Sequence, residues 1–268
     1  MTDGTNYFAT DFARDAERAR LSILERTLDP ITTGHLERLA FAGGPPPRRC
    51  LEMGAGGGSI ARWLGEHVDP GGTVVAADVD TEFLVDLPST VEVRRFDIAT
   101  DTLEPLHYDL VHCRLMLLHV ADPVGALQKL ADSVAPGGLL LVEEWDYATT
   151  QAYQADHPLS DVVNRVNDAL FGLTLSMGIN VWLGRELPDM VEATGLREVD
   201  HMGSLKVARG TPEPTMQKAS AALLRPALLQ RQLVAEPEID DWFRALSDPT
   251  FRMIDYTTIS AWGRRPRL

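Results

Sequence analysis

The stretch Glu52-Met53-Gly54-Ala55-Gly56-Gly57-Gly58 decides the reading of this chain. It follows a short apolar run, Cys50-Leu51-Glu52-Met53. It precedes an amphipathic one, Ile60 to Val68, in which Ile60, Trp63, Leu64, His67 and Val68 share one helical face. A strand, a glycine turn and a helix are therefore expected, the opening of a βαβ unit. Glycine lets backbone approach a ligand without a Cβ in the way, and the helix start that follows offers unpaired N–H groups to an anion. A tight turn without any ligand is the plain alternative. A dinucleotide loop of the G-x-G-x-x-G type would place its third glycine at position 59, where this chain has Ser59, so an NAD-dependent oxidoreductase is disfavoured.

Downstream, a Gly71-Gly72 turn announces a strand at Thr73 to Ala77. Further strands are predicted at Val91 to Phe96, Tyr108 to Cys113 and Leu139 to Glu144, with a helix over Pro123 to Val134. The nearly unbroken apolar runs Val74-Val75-Ala76-Ala77 and Leu139-Leu140-Leu141-Val142 suit parallel strands covered on both faces. After Trp145, helical patterns at 159–177, 187–194, 215–234 and 239–246 alternate with strands at 197–207 and 251–262. Upstream, Ala13 to Ala42 reads as two helices broken near Asp29-Pro30, then a Gly43-Gly44-Pro45-Pro46-Pro47 hinge. The expected organisation is a helical cover at 1–47 and an α/β domain at 48–268, with helical lid segments near 150–180 and 212–247. Asp80 is expected to cap a helix starting at Thr81 or Glu82.

Composition narrows the function. At 268 residues, 44% hydrophobic and 24% charged, the chain can bury a real core. Its net charge of −14 repels phosphate polymers, so nucleic acid is not an expected partner. The only cysteines, Cys50 and Cys113, lie in strand-like runs and read as buried reduced thiols; no Cys-x-x-Cys suggests a metal, and none is expected. Met1 to Asp15 lacks the apolar core of a signal peptide, and no apolar run approaches the ~20 residues of a membrane span. A cytoplasmic protein with no membrane partner is expected. Arginine outnumbers lysine 22 to 3, a bias of GC-rich, here bacterial, genomes. The oligomeric state is left open, a homodimer included.

Beyond the glycine loop, Asp78 ends the second predicted strand 20 residues after Gly58, Asp97-Ile98 ends the third, Cys113-Arg114-Leu115 ends the fourth, and Ala135-Pro136-Gly137-Gly138 opens the fifth. In order and spacing, residues 48–147 resemble the class I S-adenosylmethionine-dependent methyltransferases. The resemblance implies a Rossmann-like α/β fold, a seven-stranded mostly parallel sheet with N-terminal helices and a helical lid insertion. It implies S-adenosyl-L-methionine as cofactor, bound by Glu52, Gly54, Ala55, Gly56 and Gly58. Asp78 and Val79 would then meet the ribose, Asp97 and Ile98 the adenine, and Cys113 and Arg114 the methionine end. Two carboxylate oxygens suit a vicinal diol. The implied reaction is methyl transfer to an oxygen or nitrogen of a small organic acceptor. A same-fold enzyme that uses the sulfonium for another reaction, and an inactive binding module, remain open.

For proton removal from the acceptor, His119 stands where plant phenolic O-methyltransferases, which it resembles locally, carry a basic histidine. Their following Asp-Trp is missing here, and a packed, hydrogen-bonded histidine is the alternative. His201 is a second candidate base. Glu143, Glu144 and Asp146, after the fifth strand, read as solvated edge carboxylates, or as one holding a hydroxyl or amine. Tyr7, Phe8, Phe12, Trp145, Tyr147, Phe171 and Trp182 could wall an apolar acceptor or simply pack in the core.

Overall fold

The computed structural model describes residues 11–42 and 44–267, with side chains from Arg14 onward. Seven strands form the main sheet: β1 (Arg49–Met53), β2 (Thr73–Asp78), β3 (Val91–Arg95), β4 (Tyr108–Arg114), β5 (Val134–Asp146), β7 (Arg197–Ser204) and β10 (Thr257–Arg264). Their order is β3-β2-β1-β4-β5-β10-β7. The pairs from β3 to β5 are all parallel, whereas β10 runs antiparallel to both β5 and β7. A second sheet of three short antiparallel strands joins β6 (Gln151–Ala152), β9 (Arg252–Ile254) and β8 (Val207–Arg209).

Both faces of the central strands are covered, which is why they read as continuous apolar runs. On one face Leu51, Val75, Val111, Leu127 and Val191 pack together under α3 (Pro123–Ser133) and α5 (Leu183–Ala193). On the other, Cys50, Leu64, Val74, Leu110 and Trp262 pack under α2 (Ser59–His67). A separate cluster around Val163, Leu228, Trp242 and Phe251 joins α4 (Ser160–Ser176), α6 (Met216–Gln230) and α7 (Glu236–Ala245). Helix α3 is fixed at its start by Asp122, whose side chain accepts from the Gly125 N–H at 2.8 Å, with Pro123 in the first turn.

Four local expectations are corrected. Residues upstream of the hinge form one helix, α1 (Asp11–Leu36), with Pro30 inside it, followed by a wider π turn at Glu37–Phe41. Proline in a helix interior costs about 3 kcal/mol, but here Asp29 and Thr32, on either side of it, are bonded to Arg114 and anchor the helix across the break. Asp80 caps no helix: residues 79–90 hold none, Asp86 has a positive φ of 53° and Pro88 follows, and Asp80 Oδ1 instead accepts from the Glu82 N–H at 3.0 Å. The predicted strand 251–262 is two strands, β9 and β10, in different sheets, split at Asp255-Tyr256, where Asp255 turns its carboxylate onto the Tyr256 N–H. The predicted strand 197–207 likewise divides into β7 and β8.

Candidate functional site

The carboxyl ends of β1, β2, β3 and β4 open into one cavity of about 1200 Å³. Drug-sized ligands need roughly 300–1,000 Å³, so the space admits a nucleoside cofactor and a second small molecule together. Its floor is the glycine loop. Gly54 and Gly56 have φ of +75° and +52°, and the Gly54 and Ala55 N–H groups both donate to the Ala77 carbonyl, pinning the loop to β2. A Cβ on Gly54 would lie 2.8 Å from Met116 Cβ. The Gly56 N–H donates to Asp78 Oδ2 at 2.9 Å and the Asp80 N–H to Asp78 Oδ1 at 3.0 Å, which fixes that carboxylate toward the cavity with lone pairs to spare. Asp97, at the end of β3, takes the Ala99 N–H at 2.9 Å.

Ten sequence-predicted residues line the cavity: Glu52, Gly54, Ala55 and Gly56 from the loop, Asp78, Val79, Asp97 and Ile98 from β2 and β3, and Arg114 and His119 beyond β4. Two do not. Gly58 lies at the head of α2 against Leu84 and Leu87, and Cys113 points into the core, because successive side chains of β4 alternate between faces. Both cysteines are buried and free, and burial raises both thiol pKa values. His201 is exposed on the edge strand β7, away from the cavity, so it is not the base expected there.

His119 ends a short 3₁₀ turn, Leu117–His119, after the strained Leu115, whose φ is +51°. His119 lines the cavity, exposed to solvent and partly desolvated by the surrounding protein. That desolvation, and the charge of Arg20, lower its pKa, so it is neutral at pH 7 and able to take a proton. Glu144 holds this turn from below: its Oε1 accepts the Leu117 N–H at 2.8 Å.

The acids expected after the fifth strand lie within β5 and are not solvated edge groups: Glu143 and Glu144 are fully buried and Asp146 nearly so. Glu143 belongs to a network that sequence reading missed. His112, wholly buried on β4, lies between Glu52 (Nδ1 to Oε2, 2.6 Å) and Glu143 (Nε2 to Oε2, 3.4 Å). Ser260 donates to Glu143 Oε1 at 2.6 Å, and Thr32 of α1 donates to Oε2. Burial opposes protonation of His112, but the two carboxylates outweigh it and raise its pKa to about 9; burial likewise opposes ionisation of Glu143, but His112 holds its carboxyl down at about 2. Arg114 continues the chain, donating to Thr32 at 2.8 Å and to Asp29 at 2.9 Å.

Beyond His119 the cavity widens into a chamber with Trp145, Tyr147 and Tyr256 in mutual contact, ring centroids 4.6 to 5.7 Å apart, and with Phe171, Met216 and Leu224. Burial raises the pKa of both tyrosines, so each phenol stays a hydrogen-bond donor. Trp182 packs edge-on against Phe171 and stands outside the lining. Tyr7, Phe8 and the Phe12 side chain lie outside the described residues.

Residues 24–201 match the family model of the methyltransferase domain. The chain belongs to that family. This methyltransferase-family protein is 33% identical over 137 residues to methyltransferase str2 of Strobilurus tenacellus, covering 51% of this chain and 48% of the relative. It is 34% identical over 119 residues to a ubiquinone biosynthesis O-methyltransferase of Burkholderia ambifaria, covering 41% of this chain and 49% of the relative. The chain thus spans about half the length of the curated relatives it matches. In fold it is similar to a candidate methyltransferase of Bacillus halodurans, with TM-score 0.55 at 17% identity over 87% of this chain and 98% of that one. It is also similar to a Haemonchus contortus phosphoethanolamine N-methyltransferase in complex with phosphomonomethylethanolamine and S-adenosylhomocysteine, with TM-score 0.52 at 15% identity over 93% of this chain and 53% of that one. Among the described residues no helix is long and apolar enough to cross a membrane, and no three His, Cys, Asp or Glu side chains group as a metal site.

Proposed function

We propose that this protein transfers a methyl group from S-adenosyl-L-methionine to an oxygen or nitrogen of a small organic acceptor. The observation that carries it is one cavity joining the glycine loop and the acids of β2 and β3 to an aromatic chamber. The residues fit the cofactor: Asp78 aims a fixed carboxylate at the cavity for the ribose diol, while Asp97 and Ile98 take the adenine. The family match speaks against the oxidoreductase alternative. When bound, the cofactor supplies a methyl group on a sulfonium, whose departing thioether needs no help from an acid.

The protein's part is then positioning and exclusion of water, which in well-oriented reactions supplies up to about 7–11 kcal/mol. His119, neutral and at the mouth of the chamber, takes the proton from an acceptor hydroxyl. Charged residues of both signs line the cavity, with Arg20 near His119 and Tyr147, and Asp168 contributed by α4. Helix α1 would act as a cover and the segments near 150–180 and 212–247 as lids, since α1, α4 and α6 all contribute to the lining; residues 1–10 of the expected cover lie outside the described residues.

The test is isothermal titration of S-adenosylhomocysteine, followed by an acceptor panel of neutral phenols, hydroxybenzoates and phosphoethanolamine. Binding of S-adenosylhomocysteine and methylation of at least one acceptor of the panel are expected; absence of binding at millimolar ligand rejects the proposal. Asp78→Ala should weaken S-adenosylhomocysteine by about 1–3 kcal/mol, the cost of an unpaired polar group, and an unchanged affinity would remove Asp78 from the site. His119→Gln should lower kcat by about 10²- to 10⁴-fold with little change in cofactor affinity. The wild-type rate should rise with pH through a midpoint below 6.5, and that limb should vanish in the variant.

A further inference from the structure

We propose that Glu25, on the cover helix α1, receives the primary ammonium group at the amino-acid end of the bound cofactor, an assignment that rests on the cofactor reading above. Helix α1 lies directly on the glycine loop: a Cβ on Gly56 would come within 3.2 Å of Leu21 Cδ2, and one on Gly57 would collide with Glu25 Oε1. The Glu25 carboxylate therefore rests over Gly57 at the start of α2, and it lines the cavity along with Gly54 and Arg114.

What distinguishes Glu25 is the cation it lacks. The other two acids at this end are matched: Asp29 pairs with Arg114 at 2.9 Å and takes the Ser59 hydroxyl at 3.1 Å, and Glu52 holds His112 at 2.6 Å. Glu25 makes no ion pair among the described residues, although it is half-buried and has Asp29 one helical turn away. Desolvation and the repulsion of Asp29 raise its pKa, outweighing the pull of Arg114 and Arg62, neither of which pairs with it directly, so the anion is held short of positive charge. A ligand that fills the loop and carries an ammonium relieves both. The cofactor's amino-acid end is such a ligand; its nucleoside half, held by Asp78 and Asp97, is not.

The test is titration of three ligands into wild type and Glu25→Gln: S-adenosylhomocysteine, its deaminated analogue, which keeps the carboxylate, and 5′-methylthioadenosine, which has no amino-acid end. Glu25→Gln should weaken S-adenosylhomocysteine by about 10- to 100-fold, the scale of a charge-assisted hydrogen bond. The deaminated analogue should bind the wild type weakly and lose nothing further in the variant. Methylthioadenosine should bind both proteins alike, which also shows that the variant is folded. Equal S-adenosylhomocysteine affinity in the two proteins overturns the assignment, as does parallel weakening of methylthioadenosine. Tighter binding to the variant overturns it too, since Glu25 would then be occupying the place of the cofactor's own carboxylate. If neither nucleoside binds the wild type, it is the cofactor reading that fails, and the assignment falls with it.

Discussion

Replacing His112 with leucine is expected to destabilise the fold by about 3–5 kcal/mol, because it leaves Glu52 and Glu143 facing each other in the core without the cation between them. For a chain of this size that corresponds to a fall in Tm on the order of 10 °C, read by calorimetry. A loss below about 1 kcal/mol would show that the pair carries no net charge in the native state. The same cluster gives stability a pH dependence of known sign. His112 has a folded pKa of about 9, above its ordinary 6.5, so its contribution is complete below 6.5 and is lost as pH rises through 9. Burial raises Glu144 to about 8 from its ordinary 4.5, so its cost is absent below 4.5 and grows until pH 8. Both effects slope the same way: stability should fall steadily from mildly acid solution to pH 9, and His112→Leu should flatten the upper part of that slope. Glu143 acts at the other extreme, its depressed value near 2 removing stability only as pH drops from 4.5 toward 2.

Gly54→Val should abolish cofactor binding while leaving a folded protein. Two costs add: a left-handed backbone at φ +75°, about 1–2 kcal/mol for a residue with a Cβ, and overlap with Met116 at 2.8 Å, about 1–3 kcal/mol. Relief of both moves the loop away from Asp78, so S-adenosylhomocysteine affinity should drop by two orders of magnitude or more in titration. Gly195→Ala is the matched control. It shares the left-handed φ, at +81°, in open space after α5, so it should cost stability and leave ligand affinity alone. Equal binding by Gly54→Val and wild type would dissociate the glycine loop from the cofactor.

The parallel half of the sheet was legible because its signals are local. Strands buried on both faces must be runs of apolar residues, and a glycine or proline stands shortly before each run here. The loop itself and the acids Asp78 and Asp97 sit at fixed places relative to those runs. The later region was less legible: Asp255-Tyr256 splits one apolar stretch between two sheets through a side-chain hydrogen bond, which periodicity does not record. Pro30 misled for the related reason that a helix anchored by Arg114 overrides a local breaker. Glu143 and Glu144 were misread because burial depends on what covers a strand end, and the covering groups, Thr32 and Ser260, lie 111 and 117 residues away from Glu143.

Strand β10 comes after β5 and β7 in the chain, yet it lies between them in the sheet and supplies Ser260 to the buried acid of β5. Until residues 257–264 emerge, β5 has an open hydrogen-bonding edge and Glu143 lacks one of its donors. A nascent chain without that segment holds an incomplete, adhesive sheet, and its yield in cells depends on how quickly the segment, once made, is threaded between its neighbours.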